Sequence, residues 1–277
     1  MKFSLIMATV GREEPIAVFL RSLAGQGDVD VELIIVDQNA DDRVERVLAR
    51  RSAGIVYKHV RSAPGVSRAR NAGLGHIDGD VVAFPDDDCE YPPGLLGWVR
   101  GFLNYKIVYG GLALRVASRE GQAIGRLARE SGEVSPLSVW RQATSAGLFL
   151  RRGLIEAVGD FDETLGLGAG TPWGAGEDID YPLRALQAGF RLYYEAAKVV
   201  WHPDVMLERR DHLATRGYRY GAGWGRVRRK HASPYWIVAY YVMRSLGGAI
   251  MSLVVGDFGA ARFRLAVFAG RIRGWLA

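Results

Sequence analysis

Short apolar runs alternate with amphipathic segments through the first hundred residues. Phe3 to Ala8 and Glu32 to Val36 are continuous enough to predict buried strands, with shorter ones over Ile55 to His59 and Val81 to Phe84. Between them, Glu14 to Ala24 places Ile16, Phe19, Leu20 and Leu23 on one helical face, and Asp41 to Arg51 carries Val44, Val47 and Leu48 at helical spacing. Ser67 to Leu74 begins another helix. Strands that alternate with helices predict an α/β domain with a largely parallel sheet, because parallel neighbours need a crossover between them. Ligands of such sheets bind outside the carboxyl ends of the strands, which singles out the loops beginning at Thr9, Asp37 and Asp86.

The pattern is less regular after Tyr91. Tyr105 to Val116 and Ala146 to Leu150 read as strands, and Arg119 to Glu130 as a polar connector or short helix. Leu165 to Gly176 holds five glycines and resists any regular element. A helix is predicted from Glu177-Asp178-Ile179-Asp180 to Gln187, with Gly189 closing it, and Val199 to Trp201 gives a last strand.

Beyond Asp204 the chain changes character. Residues 1–204 hold 23 Lys and Arg against 27 Asp and Glu, a net of −4, whereas 205–277 hold 13 against 3, a net of +10. Tyr235 to Val255 is almost wholly apolar, but Arg244 divides it into runs of about ten residues where a spanning helix needs roughly 20. A guanidinium at mid-span costs at least ~2.5 kcal/mol. Arg226, Arg228, Arg229 and Lys230 precede the apolar piece and Arg262, Arg264, Arg271 and Arg273 follow it, so helices lying in the plane of an anionic leaflet fit better. The plainer alternative is a hydrophobic helical pair packed on the amino-terminal domain.

Composition adds two constraints. With 277 residues, 49% hydrophobic and 24% charged, the chain buries a large core, which excludes a fibrous or largely disordered protein. The single cysteine, Cys89, agrees with a reducing compartment, and the apolar run before Gly11 is too short for a signal-peptide core, so a cytoplasmic location is expected.

Asp86, Asp87 and Asp88 directly follow a predicted buried strand. Three adjacent carboxylates repel one another unless a cation or a helix N-terminus offsets them, and hard oxygen donors at a ligand-binding edge suit Mg2+ or Mn2+. An acidic turn capping the next helix is the alternative. The rest of the series changes the balance: VDQNADD, PGVSRARNAGL, FPDDD, GEDIDYPLRALQAGFRL and VVWH occur in that order. Over Lys2 to Asp204 the chain thereby resembles glycosyltransferase family 2.

That resemblance implies a GT-A fold, a Rossmann-like, mostly parallel mixed sheet flanked by helices, forming a catalytic domain over 1–204. The tail over 205–277 is then a basic, amphipathic, helical membrane-associating segment, similar to that of bacterial members that build polysaccharides on lipid carriers. Asp86-Asp87-Asp88 takes the place of the family's DXD, with Asp88 the direct metal ligand, Asp86 beside it and nearer the ribose, and His202 completing the shell. Thr9, Asp37, Arg70, Asp86 and Asp87 would bind the donor, and Asp37 would accept from a nucleobase imide N–H of the kind uracil, thymine and guanine all carry. The sequence departs here from the commoner VDDGS, with Gln38 and Asn39 in the variable places. Arg70 and Asn71 match the ARN element. Asp178 would be the general base, Glu177 its orienter or an acceptor contact, and Trp173 a stacking surface for a sugar. Arg226, Arg228 and Arg229 would draw anionic headgroups and a polyprenyl-diphosphate-linked or saccharide acceptor.

The implied activity is metal-dependent, inverting transfer of a sugar, of hexosyltransferase type, from a nucleotide-diphosphate sugar to an acceptor hydroxyl. Its setting would be polysaccharide or cell-envelope synthesis at the cytoplasmic face of the plasma membrane, with the protein peripheral or monotopic. Alternatives are a retaining GT-A enzyme, in which Asp178 is no base, and a membrane-binding scaffold without catalysis. A nucleic-acid-binding protein that interleaves arginines with Tyr218, Tyr220, Trp224 and Tyr235 leaves the acidic triplet and Glu177-Asp178 unexplained, so no nucleic-acid partner is expected.

Overall fold

The computed structural model describes residues 1–52, 54–122, 127–203 and 213–277. Eight strands, β1 (Phe3–Thr9), β2 (Val31–Asp37), β3 (Val56–Arg61), β4 (Val81–Ala83), β5 (Tyr109–Ala117), β6 (Gly132–Glu133), β7 (Leu148–Arg151) and β8 (Arg191–Trp201), form one mixed sheet in the order β3-β2-β1-β4-β7-β5-β8-β6. The pairs β1–β2, β1–β4, β2–β3 and β5–β8 are parallel, while β7 runs antiparallel to both β4 and β5. Helices α1 (Glu14–Ala24), α2 (Arg43–Arg51), α3 (Val66–Leu74), α4 (Leu95–Tyr105), α5 (Arg152–Val158) and α6 (Glu177–Gln187) make the connections. Strands β1 and β2 are apolar on both faces because both are covered: Phe3, Leu5, Met7, Leu33 and Ile35 pack in one cluster, and the alternating Ile6, Ile34 and Val36 are buried as well.

The strand expected over Tyr105 to Val116 begins only at Tyr109, because α4 occupies the chain up to Tyr105. Gly94, in the left-handed region at φ 71°, turns the chain into that helix, and Leu95, Leu96, Val99 and Leu103 form its buried face. β8 is far longer than the three residues expected, and its register against β5 shifts between Leu114 and Arg115. Among the described residues of 119–130 there is no helix; 123–126 lie outside them, as does the 204/205 boundary.

The chain forms two compact units. One comprises Met1–Pro64, Arg68–Phe161 and Tyr181–Asp204, which hold the sheet; the other comprises Gly65–Ser67, Asp162–Asp180 and Val205–Ala277. The second unit contains three long helices, α7 (Leu213–Lys230), α8 (Tyr235–Val254) and α9 (Phe258–Leu276). Gly217, Gly221 and Gly225 recur every fourth residue of α7, and Gly270 and Gly274 do so on α9. A Cβ at Gly221 would run into the Val267 carbonyl, and one at Gly274 into the Ala222 carbonyl, so the two helices meet backbone to backbone. Gly274→Ala is therefore expected to destabilise by about 1–3 kcal/mol through overpacking. Thermal unfolding reads this as a lowered midpoint, and an unchanged one would show that the helices have room to separate.

Candidate active site

The carboxyl ends of the parallel strands converge as the sequence predicts. Thr9 and Asp37 are register partners on β1 and β2, and Ala8 forms a parallel bridge to Asp86 just past β4. A second bridge, Glu90 to Trp201, brings the end of β8 to the same edge and delivers His202. Thr9, Asp37, Arg70, the three aspartates and His202 thus all belong to the sheet unit.

The aspartates are differentiated by their partners. Asp88 Oδ1 lies 3.0 Å from His202 Nε2, and its other oxygen pairs with Arg12. Burial works against the Asp88 charge, but the histidine and arginine outweigh it and hold the carboxyl at about 2. Asp87 accepts from Thr9 Oγ1 at 2.7 Å and lies 3.3 Å from Arg12; burial dominates and pushes it up to about 6. Asp86 faces His202 Nε2 at 3.7 Å and Arg70 at 3.5 Å. Arg12 is a residue the sequence reading missed. The available signal was an arginine three residues beyond the end of β1, on the edge where the acidic triplet accumulates negative charge.

Asp86, Asp88 and His202 fit a divalent cation. Together with Cys89, one ligand atom from each lies within 4.8 Å of all the others. The set offers two hard carboxylates and an imidazole, donors that Mn2+ and Mg2+ accept. His202 Nδ1 lies 2.7 Å from the Pro203 carbonyl, which can only accept, so that nitrogen carries the proton and Nε2 turns toward the aspartates. The two neighbouring carboxylates raise the His202 pKa despite its burial. Cys89 is fully buried, and burial pushes its thiol well above the ordinary range, so it packs as a small apolar residue.

Asp37 and Arg70 are more enclosed than a solvent-facing contact would be. Asp37 has no exposed surface: Oδ1 accepts from the Asn39 backbone N–H and side-chain amide at 2.8 and 2.7 Å, and Oδ2 lies 3.0 Å from both His59 and Arg61. Base recognition through Asp37 requires one of these donors to move. Arg70 is buried, donates to Ser145 Oγ at 2.9 Å and stacks over Phe161, so it braces Asp86 from behind.

Trp173, Glu177 and Asp178 belong to the other unit, in the segment from Asp162 to Asp180: Trp173 on its loop, Glu177 and Asp178 in the first turn of α6. Gly176, at φ 103°, turns that loop into α6, and a Cβ there would strike Val227 and Gly223 of α7. Trp173 is half-buried with the Arg273 guanidinium over its ring. Lys230, at the end of α7, clasps both ends of this segment, reaching Asp162 at 2.8 Å and the buried Asp180 of α6 at 2.9 Å, while His231 Nε2 lies 2.8 Å from Asp180. Burial opposes the Asp162 charge, but hydrogen bonds from Lys230 and Thr164 prevail and hold it at about 2. Since the folded value is depressed, this stabilisation is in place above about pH 4 and fades as pH falls toward the folded value. Lys230→Met is expected to lower stability by about 1–3 kcal/mol at neutral pH. An unshifted urea midpoint would show that the clasp contributes nothing.

The three arginines expected to face an acceptor differ from one another. Arg229 is exposed and Arg226 partly so, but Arg228 is only 3% exposed. Its guanidinium lies over Trp224 and Tyr241, and burial pulls its pKa down to about 10. Arg271 stacks on the same two rings. The expectation that Arg228 attracts headgroups is corrected: the aromatic pair holds it inside the helical unit, where it joins α7 to α8.

Residues 4–110 match the profile of the family described as Glycosyl transferase family 2. The chain carries a glycosyltransferase family 2 domain. Two relatives are the pre-mycofactocin glycosyltransferases of Mycobacterium tuberculosis strains CDC 1551 / Oshkosh and ATCC 25618 / H37Rv. Each is 30% identical over 250 residues, covering 85% of this chain and 49% of the relative. The chain thus spans about half the length of these relatives. Among solved structures, mannosyltransferase PcManGT from Pyrobaculum calidifontis, in complex with GDP-Man and Mn2+, superposes with a TM-score of 0.66 at 14% identity, over 99% of this chain and 86% of that one. S. aureus TarS 1-349 in complex with UDP-GlcNAc gives 0.62 at 17% identity, over 96% and 90%. The family 2 domain therefore has the GT-A fold, with its mixed sheet between helices.

Proposed function

We propose that the protein is an inverting, divalent-metal-dependent glycosyltransferase that moves a sugar from a nucleotide-diphosphate donor to an acceptor hydroxyl. The observation that carries this reading is the cluster of Asp86, Asp88 and His202 at the strand ends, with Arg12 and Thr9 against the same aspartates. The solved neighbours bind GDP-Man with Mn2+ and UDP-GlcNAc, which supports the same donor class here.

Asp86, Asp88 and His202 hold a Mn2+ or Mg2+ ion in this reading, with Arg70 keeping Asp86 in place. When bound, such an ion supplies positive charge against the departing diphosphate. Thr9 fixes Asp87, and Arg12 adds a second cation on the donor side. Asp37, with His59 and Arg61 beside it, shapes the base pocket. Asp178 takes the proton of the acceptor hydroxyl as that oxygen attacks the anomeric carbon from the face opposite the leaving nucleotide. Glu177 and Trp173 contact the acceptor.

The acceptor is proposed to be a lipid-linked saccharide of polysaccharide or cell-envelope synthesis, met at the cytoplasmic face of the membrane through residues 205–277. The support is the +10 charge of that segment and one helix, Tyr235–Val254, long and apolar enough to cross a bilayer. A thermal-shift panel of nucleoside diphosphates with and without Mn2+ tests the donor half. A ligand at 100 times its dissociation constant stabilises by ~2.7 kcal/mol. A shift that appears only when Mn2+ and one nucleotide are both present is expected, and no shift with any of them would overturn the reading.

A further inference from the structure

Helix α8 presents an unbroken apolar stripe to solvent. Trp236, Tyr240, Met243, Ile250 and Val254 are each 54–76% exposed. Their spacing keeps them on one side of a helix with 3.6 residues per turn, and Gly247 fills the remaining place. The buried residues Ile237, Val238, Ser245, Ala249 and Ser252 lie on the other side. Arg244, which divides the apolar run in the sequence, falls about 80° round the helix from the centre of the stripe at 100° per residue. It therefore flanks the stripe without interrupting it. Arg264 reaches the same flank, donating to the Gly248 carbonyl at 2.6 Å. Past the turn, Val255 and Phe258 are 70% and 72% exposed and extend the apolar surface.

Charge identifies what covers this surface. Residues 213–277 contain 11 Lys and Arg and a single acidic residue, Asp257. Exposed arginines beside a stripe that carries Trp236 and Tyr240 complement an anionic lipid surface, where aromatic rings settle at headgroup depth and arginine stems extend to the phosphates. A spanning orientation fits less well, because the opposite face of α8 packs on the cluster formed by Trp224, Arg228 and Arg271, which would enter the hydrocarbon with it.

We propose that α8 lies in the plane of an anionic bilayer, its Trp236–Tyr240–Met243–Ile250–Val254 stripe in the acyl boundary and Arg244 and Arg264 at the headgroups. The inference rests on the membrane reading above and specifies the inserting face. The test uses the full chain and vesicles of phosphatidylcholine with or without phosphatidylglycerol. Wild type should sediment with the anionic vesicles, and Ile250→Glu/Val254→Glu should partition about tenfold or more weakly. Both side chains are exposed, so the variant should keep the wild-type Tm. Wild type failing to bind would overturn the membrane reading and the stripe together. Equal binding by wild type and the variant would overturn the stripe alone. A lipid-free dimer that the variant dissociates would assign the stripe to a second copy of the chain. Fluorophores on Tyr240→Cys and Val254→Cys should be quenched by brominated lipid at one shallow depth; depths stepping across the bilayer would mean a spanning helix.

Discussion

Asp88→Ala is expected to abolish metal-dependent donor binding. Asp88 is where the strand-end cluster converges, with His202 on one oxygen and Arg12 on the other. Its pKa of about 2 keeps it ionised at neutral pH, so it is available there as an anionic ligand. Alanine leaves one carboxylate and an imidazole to hold the ion, and it removes one of the two carboxylates that Arg12 pairs with. Titration calorimetry with a nucleoside diphosphate should show affinity in the presence of Mn2+ falling about a hundredfold, which corresponds to about 2.7 kcal/mol. Unchanged affinity with unchanged dependence on the metal would place the ion elsewhere.

Asp178→Asn should leave donor binding intact and lower turnover by about 10²-fold or more, the scale of a lost general base. The amide preserves the shape of the side chain and cannot take the proton. The substitution lies in the unit that carries the loop from Asp162 to Asp180, while the donor cluster lies in the sheet unit, so the two assays report on different parts of the chain. Anomeric NMR of the wild-type product accompanies the test, because retention of configuration would remove the need for a base. Inversion together with near-normal turnover in the variant would move the base, with Glu177 the first candidate.

The order of strands and helices was legible because β1, β2, α1 and α6 carry their burial in local spacing. α4 was not, because Gly97 and Gly101 interrupt its apolar positions and Tyr105, Ile107 and Val108, which look like strand residues, are exposed. The acidic triplet and His202 could be placed from strand ends and motif order. Arg12 could not, since its partners are 75 and 76 positions away and only the β1–β4 pairing brings them together. The basic run before α8 shows a different limit. Residues of one charge in series read as a solvated face, yet Trp224 and Tyr241 give Arg228 an aromatic enclosure that linear spacing does not reveal.

The glycine contact between α7 and α9 has a mechanical consequence. Where side chains separate two helices, rotamer changes can absorb a small displacement; where carbonyls sit directly against Cα atoms, nothing soft lies between them. α7 and α9 therefore behave as one stiff beam. The segment from Asp162 to Asp180 is fastened to that beam at its ends by Lys230 and, just before α6, by the close packing of Ala175 on Gly223. Asp178 rides on the beam, so any tilt that a surrounding medium imposes on the helices reaches it with little damping.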